Sequence, residues 1–434
     1  MKLNRSFSII PKLLFVSVLS FGQKKNEIDT LKNNYFSWQS EAEKKITDIY
    51  PFTLVDYSPK LYTMRQFNEG YLSFYRITSD ITYKHTTKKY QYLILPIQML
   101  ASLYLIPLTH EEGHRSVLTN LGIGSISAPL FKKGVAKVTG VTDLTLKTLR
   151  DTDLPYYIRL HTAGIESDYA LSKREQQLVM FDQEKIRNVI GDFFVRRLGV
   201  VLYYTFSASR YNNTTEAEEA NELERDIVGD DVRGAVRHLH RPTSTFYRYT
   251  NYGDLLPDER RYLRNIGLWS LVNLANPLLF GKSNFIINNT LKAGFGIGYI
   301  MVPFGTMTEE NIWLKYKHNG NLAICVRQYN NKNNTYWAIG LSLFDLPFSK
   351  HYAMSAIVQG WKQPEKLSFT TNKGIVGGAA NFRFSYRIFG RESSPLKWLS
   401  VDGDIRVKTE GFIPEDPSLK EAFNVAIGFS FCPK

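Results

Sequence analysis

The spacing of hydrophobic residues changes once along this chain of 434 residues. Between about residues 90 and 282, apolar residues recur every three to four positions, which is the period of helices with one buried face. From about Asn284 the period becomes two, which is typical of β-strands whose two faces meet different surroundings. The sequence therefore predicts the α+β class, with a mainly helical domain followed by an antiparallel β domain.

The β domain is expected to cover residues 283–434 and to contain about eight strands. Asn319-Gly320 is a strong signal for a tight hairpin turn between two of them. Strands of about ten residues, an even strand number and an aromatic last strand resemble a small outer-membrane β-barrel. A water-soluble β-sandwich or barrel is the alternative. The predicted strands are 292–302, 311–317, 321–329, 336–344, 351–361, 375–388, 398–409 and 422–431.

The first 22 residues are typical of a secretory signal peptide. Lys2 and Arg5 precede a short apolar stretch, Ile9–Phe21, and Ser20 and Gly22 are small residues before a cut at Gln23. No cysteine follows the cut, which argues against a lipoprotein. An uncleaved membrane anchor is the alternative. The Phe-Gly-Gln end of this leader resembles exported proteins of the Bacteroidota.

Residues 23–90 form a mixed N-terminal segment in this interpretation. Within it, Tyr71–Tyr83 alternates in polarity and predicts a pair of early strands. The next segment, Tyr90–Leu108, is apolar over 19 residues, but it contains two glutamines and two prolines. We expect it to be a buried core helix rather than a transmembrane helix. The helical domain is then 91–282.

The composition excludes few classes of protein. The formal net charge is +13, and 14% of the residues are aromatic. The Lys and Arg residues are scattered and no nucleic-acid-binding motif is found, so nucleic acid is not an expected partner. A basic surface beside anionic lipid fits better. The spacing of Cys325 and Cys432 is not that of a known type of zinc site, and the sequence does not tell whether they form a disulfide.

The strongest chemical signal is the segment His110-Glu111-Glu112-Gly113-His114, which has the pattern H-E-x-x-H. On a helix, residues four positions apart share one face, so His110 and His114 can both bind Zn²⁺. Glu111 can then act as the base that takes a proton from zinc-bound water. Gly122 is expected to end this helix. A surface helix with two hydrogen-bonded histidines is the alternative.

A catalytic zinc site needs a third protein ligand and an open position. The segment from Tyr157 to Ala170 is expected to be helical, and Ala163-Gly164 would let it approach another helix closely. Glu166 is our predicted third ligand. His161 and Asp168 are the alternatives, or they orient a metal-bound histidine. The acidic residues before Arg233, namely Asp226, Asp230 and Asp231, are interpreted as surface acids. A second metal site formed with His238 and His240 is the alternative.

These residues resemble the zincin metallopeptidases. The motif, the following Gly122-Ile123 and the segment Ala163–Glu166 carry the likeness, and a glutamate as third ligand is similar to the gluzincin branch. The resemblance implies His110 and His114 as ligands, Glu111 as base and Glu166 as third ligand. Gly113 and the Ala-Gly pair also resemble site-2 proteases. Two features depart from these families: position 170 is Ala, and no aspartate follows Asn276-Pro277.

We therefore expect an exported zinc metallopeptidase anchored in the outer membrane, with peptide or protein substrates and lipid as a partner. The helical domain would face the periplasm or the cell surface. The alternative is a structural subunit of an outer-membrane assembly or secretion complex, with other outer-membrane proteins as partners. In that case the metal site would be inactive.

Overall fold

The architecture is described from a computed structural model. It covers residues 48–57, 62–128, 136–210, 219–316, 320–390 and 393–434. The predicted leader, residues 1–22, and the turn residue Asn319 lie outside these ranges. Thr47–Lys434 form one compact unit, so the helices and the sheet belong to one body.

Within the described residues, seven α-helices precede most of the sheet, which confirms the α+β class. Several begin or end at ordinary capping signals; Gly122, for example, has a φ of +73° directly after the second helix and its cap. The helices are α1 Met64–His85, α2 Ile94–Asn120, α3 Asp143–Thr152, α4 Leu154–Met180, α5 Ile186–Ser207, α6 Asp231–His240 and α7 Pro257–Ser270.

Residues 71–83 lie within helix α1, so the prediction of a strand pair there is wrong. The Thr63 side chain accepts a hydrogen bond from the N–H of Gln66 and caps the helix. Aromatic and small polar residues alternate over a short stretch here, so the sequence resembles a strand although its buried positions have a helical period. The buried side chains recur every three to four residues, at Leu72, Tyr75, Ser79 and Tyr83.

Ten strands form one antiparallel sheet, in the order β1-β12-β11-β10-β9-β8-β7-β6-β5-β4. All eight predicted strands are present, but β1 and β4 raise the number to ten. The strands are β1 Tyr50–Tyr57, β4 Phe285–Asn288, β5 Leu291–Val302, β6 Gly305–Tyr316, β7 Gly320–Asn330, β8 Thr335–Pro347, β9 Tyr352–Pro364, β10 Gly374–Phe389, β11 Leu396–Lys408 and β12 Ala422–Pro433. A separate hairpin joins β2 Ile126–Ala128 to β3 Lys137–Thr139.

Strand β1 lies before the helices in sequence but pairs with the last strand, as in Tyr50 opposite Phe431. Local sequence could not reveal this pairing, because more than 350 residues separate the two strands. Pro51 is compatible with β1 because β1 is an edge strand. No pair between β1 and β4 is found among the described residues, so a closed barrel stays a prediction.

The sheet exposes apolar side chains and buries polar ones, which is the reverse of a sheet in a water-soluble protein. On β11, the buried residues Ser400, Asp402, Asp404, Arg406 and Lys408 alternate with the exposed residues Leu399, Val401, Ile405 and Val407. The same exposed apolar face continues on β8, β10 and β12, with Trp337, Ile339, Leu341, Phe382, Phe384, Ile388, Phe423 and Ile427.

Helix α4 covers part of the buried polar face. The hydroxyl of Tyr169 donates a hydrogen bond to Glu309 at 2.8 Å, and Lys173 forms an ion pair with the same carboxylate at 2.8 Å. Arg327 binds the other oxygen of Glu309 at 2.6 Å. The helix that carries the predicted third metal ligand is thus fixed to the sheet by buried ionic contacts.

The segment Lys88–Asn120, which includes α2, is long and apolar enough to cross a membrane by length and composition. Only 22% of its most apolar stretch of 18 residues is buried, and Leu100 and Leu103 are largely exposed. The prediction of a buried core helix is therefore wrong for the N-terminal half of α2. The C-terminal half, from Thr109, is mostly buried and carries the H-E-x-x-H motif.

Cys325 and Cys432 are both buried, and they do not form a disulfide with each other.

Candidate metal centre

Helix α2 presents the two motif histidines on one buried face. His110 is 8% exposed and His114 is 1% exposed, and their ring centroids lie 4.9 Å apart. This arrangement follows from the four-residue spacing, which places the second ring one helical turn after the first. The face is buried because it packs against α4.

The two helices approach closely because small residues lie where they cross. A Cβ atom added to Gly164 would lie 2.4 Å from the His110 ring, and one added to Gly113 would lie 2.4 Å from the carbonyl oxygen of Ala163. Both positions therefore require glycine. The sequence-based expectation that Ala163-Gly164 permits close helix approach is confirmed.

Each histidine is oriented through its Nδ1 atom. Nδ1 of His114 lies 2.5 Å from the carbonyl oxygen of Leu160, and a carbonyl only accepts, so this nitrogen carries the proton. Nδ1 of His110 lies 2.9 Å from Oδ2 of Asp168. These contacts leave the Nε2 atoms of both rings directed to the same place, which is how metal-binding histidines are commonly held.

Asp231 completes the cluster. Its Oδ2 atom lies 2.9 Å from Nε2 of His110 and 3.4 Å from Nε2 of His114. The ligand atoms of these three residues all lie within 4.8 Å of one another, and the three side chains are buried. Two imidazoles and one carboxylate form a donor set that suits a divalent metal ion.

Asp231 is the first residue of helix α6. The preceding residue, Asp230, caps the helix by accepting a hydrogen bond from the N–H of Arg233 at 2.8 Å. The hydroxyl of Tyr203 donates to Oδ2 of Asp231 at 3.0 Å. Burial opposes the charge of Asp231, but the neighbouring His114 and His110 outweigh it and lower the pKa of this carboxyl well below its usual range. The carboxylate form that binds metal is therefore favoured.

Glu166, the predicted third ligand, makes other contacts. Its Oε1 atom accepts hydrogen bonds from Arg159 at 2.7 Å and from the N–H of Glu415 at 2.6 Å. Glu166 lies on the helix that the sequence predicted, but its side chain is not part of the His110–His114–Asp231 cluster. The carboxylate of this cluster comes instead from a residue that we interpreted as a surface acid.

Asp168 has the contact expected of a residue that orients a metal-binding histidine. One oxygen binds His110, and the other accepts a hydrogen bond from Arg196 at 2.8 Å. Arg196 is fully buried and also binds Asp192 at 2.7 Å. Asp168 therefore connects His110 to an ionic network on helix α5, which restricts the rotation of the imidazole ring.

His161 lies beside the centre rather than in it. Its ring packs on Gly234 of helix α6, where an added Cβ would lie 2.3 Å from it, and on Tyr157 and His238. Burial lowers the pKa of His161 to about 4, so the ring is neutral at pH 7. Its place between α4 and α6 makes it a packing contact near Asp231.

A cavity of about 460 Å³ adjoins the cluster. Glu111 lines it together with His110, His114 and Asp231, so the predicted base and the candidate ligands share one space. The remaining wall comes from α2, α4, α5 and the loop before α6, with Ile106, Ile165, Val200, Tyr203, Asp226 and Val228 among the lining residues. The motif residues therefore line a space of the size of a small-molecule site.

No family model, no curated protein and no solved structure matches this chain. The chemistry of the centre is thus argued from its own residues. Sequence reasoning did not find Asp231, Tyr203 and Asp226 as parts of the site. One signal was available for Asp231. The segment Gly229-Asp230-Asp231 leads into a helix, so the first aspartate can cap the helix while the second can bind a ligand.

Proposed function

We propose that this protein is a zinc-dependent hydrolase of peptide bonds. The observation that carries the proposal is the convergence of Nε2 of His110, Nε2 of His114 and Oδ2 of Asp231 beside Glu111 in one cavity. Two histidines and one carboxylate leave room for water or substrate at a tetrahedral zinc ion. When bound, zinc would act as a Lewis acid that polarises an amide carbonyl and makes water more acidic.

The chain's own residues would perform the remaining steps. Glu111 takes the proton of the attacking water and delivers it to the nitrogen of the leaving amine. Asp168 holds His110 in the orientation that keeps its Nε2 available. The hydroxyl of Tyr203 holds the Asp231 carboxylate in place. The apolar lining residues, such as Ile106 and Val200, reduce the access of other water molecules.

We further propose that the sheet anchors the protein in the outer membrane. The support is its exposed apolar face, as on β11, with charged residues on the buried face. Lipid-facing strands of outer-membrane proteins have this pattern, because water is absent outside and polar groups are satisfied inside. The predicted leader peptide is consistent with export. Fractionation of the full chain would test this proposal, with recovery in the soluble fraction as the contradicting result.

The hydrolase proposal is tested with purified protein, wild type and Glu111→Gln. Zinc content is measured first, and hydrolysis of a mixed peptide library is then followed by mass spectrometry. We expect one zinc ion per chain in both proteins and cleavage only by the wild type, with a loss of about 1000-fold or more in the variant. Zinc in both proteins without cleavage by either would favour the structural subunit.

A further inference from the structure

The metal cavity contains more negative charge than the candidate centre needs. Among the described residues that line it, Glu111, Asp168, Asp226 and Asp231 are acidic, and Arg196 is basic. Arg196 pairs with Asp168 at 2.8 Å and is shared with Asp192 at 2.7 Å, so it neutralises at most one of these charges. A divalent ion would neutralise Asp231 and one more carboxylate. At least one negative charge then remains for Glu111 and Asp226 together.

Asp226 has no role in the steps described above. Its backbone is fixed from outside the cavity: its N–H donates to the hydroxyl of Tyr249 at 3.0 Å, and its carbonyl accepts from Arg248 at 3.2 Å. Its carboxyl atom Oδ1 is buried and has no hydrogen-bond partner among the described residues. A buried carboxylate oxygen without a partner is costly, so the place of Oδ1 in a cavity wall points to a ligand.

The surroundings of Asp226 disfavour the charged form of its carboxyl group. Burial, and after it the negative charge of Glu111, raise the pKa of the Asp226 carboxyl well above its usual value. The N–H of Ile227 and the charge of His114 act in the opposite direction but do not compensate. A positive group beside Oδ1 of Asp226 would stabilise the charged form of this carboxyl group.

We propose that Asp226 binds an ammonium or guanidinium group of the substrate, close to the bond that is hydrolysed. The site would thus prefer peptides with a basic side chain or a free α-amino group at that place. Asp226 is then a specificity-determining residue. This inference rests on the proposed function, because it assumes that substrate occupies the metal cavity.

The inference can be tested by binding, which does not require turnover. Three probes are used with zinc-loaded protein: N-acetyl-norleucine hydroxamate, N-acetyl-lysine hydroxamate and norleucine hydroxamate. The first has no cation, the second has a side-chain ammonium and the third has an α-ammonium. We expect one of the two cationic probes to bind wild-type protein at least about 10-fold more tightly than the uncharged probe, because a charge-assisted contact forms in a buried site.

Asp226→Asn should reduce this preference to less than about 3-fold without weakening the uncharged probe. Asp258→Asn is the matched control, since its side chain is 81% exposed on helix α7, and it should keep the preference. Equal binding of all three probes to wild-type protein would overturn the inference, as would a preference that persists in Asp226→Asn.

Two zinc ions per chain, falling to one in Asp226→Asn, would also overturn it, because Asp226 would then bind a metal ion. Failure of the proposed function is a different result. It would be seen as protein that binds no zinc, before any probe is added.

Discussion

Oδ2 of Asp231 lies 2.9 Å from Nε2 of His110, although the two residues are 121 positions apart in the chain. This contact brings the start of helix α6 to the motif on helix α2. It supplies a carboxylate to a histidine pair that could not by itself form a catalytic metal site. The position of α6 therefore decides whether the motif can bind a metal ion.

Substitution of Asp231 by asparagine should remove metal binding. An amide is a much weaker zinc ligand than a carboxylate, so we expect Asp231→Asn to weaken zinc affinity by about 100-fold or more. The affinity is measured by competition with a chelator of known zinc affinity. Unchanged affinity would show that Asp231 is not a ligand.

Glu166→Gln should distinguish Glu166, the ligand predicted from the sequence, from Asp231, the candidate ligand in the structure. Glu166 is paired with buried Arg159, so loss of its charge should lower the free energy of unfolding by about 3 kcal/mol. Zinc affinity should stay within about 3-fold of the wild-type value, because Glu166 lies outside the cluster. A loss of zinc with unchanged stability would instead support Glu166 as the ligand.

Asp168→Asn should weaken zinc binding without abolishing it. The asparagine side chain no longer offers a charged acceptor to Nδ1 of His110 and loses the ion pair with Arg196. Removal of such an orienting group costs about 10–100-fold in metal affinity. The same chelator competition measures it, with exposed Asp258→Asn as the unaffected control. An effect as small as that of the control would contradict the role of Asp168.

Two glycine substitutions should have opposite effects. In Gly164→Ala, the new methyl group meets the His110 ring, so we expect a loss of about 1–3 kcal/mol in stability together with weaker zinc binding. In Gly70→Ala, on helix α1, the new methyl group meets no atom within 4 Å. Alanine is the better helix former, and stability should rise by about 0.5–1 kcal/mol. Thermal unfolding gives both values, and an increase in stability in Gly164→Ala as well would contradict the close helix contact.

An arginine on the exposed face of the sheet distinguishes lipid from water around it. Val401 is 54% exposed on β11, and Leu144 is 73% exposed on helix α3. If the sheet face contacts lipid, Val401→Arg should lower the free energy of unfolding in vesicles by about 2–4 kcal/mol, the cost of an arginine near the middle of the bilayer. Leu144→Arg should change it by no more than about 0.5 kcal/mol. Equal, small effects would indicate that the sheet face lies in water.

His238 should make the protein less stable in acid. Burial lowers its pKa to about 2 in the folded protein, against 6.5 for an ordinary histidine. Between these values the unfolded chain binds a proton that the folded protein does not, so stability is complete above pH 6.5 and falls as the pH falls. From pH 7 to pH 5 the loss from this residue is about 2 kcal/mol.

The measurement compares urea unfolding of metal-free wild-type protein and His238→Asn at the two pH values. The variant should lose about 2 kcal/mol less between them, because the other titrating groups are common to both proteins. An identical pH dependence in the two proteins would contradict a buried, neutral His238.

The sequence by itself determined the features that depend on local spacing. The period of two predicted all eight strands after residue 284, and the four-residue spacing of His110 and His114 placed both rings on one helix face. The small residues Ala163-Gly164 correctly indicated a close helix contact. These features follow from helix and strand geometry, which is the same in every protein.

Only the tertiary structure decided the features that depend on contacts between distant segments. Strand β1 pairs with β12 across the whole chain, and Asp231 rather than Glu166 approaches the histidines. A carboxylate on a helix has the same sequence signature whether it binds a metal, an arginine or water. Packing decides between these possibilities, because Arg159 lies within 2.7 Å of Glu166, whereas the start of α6 directs Asp231 into the cavity beside Glu111.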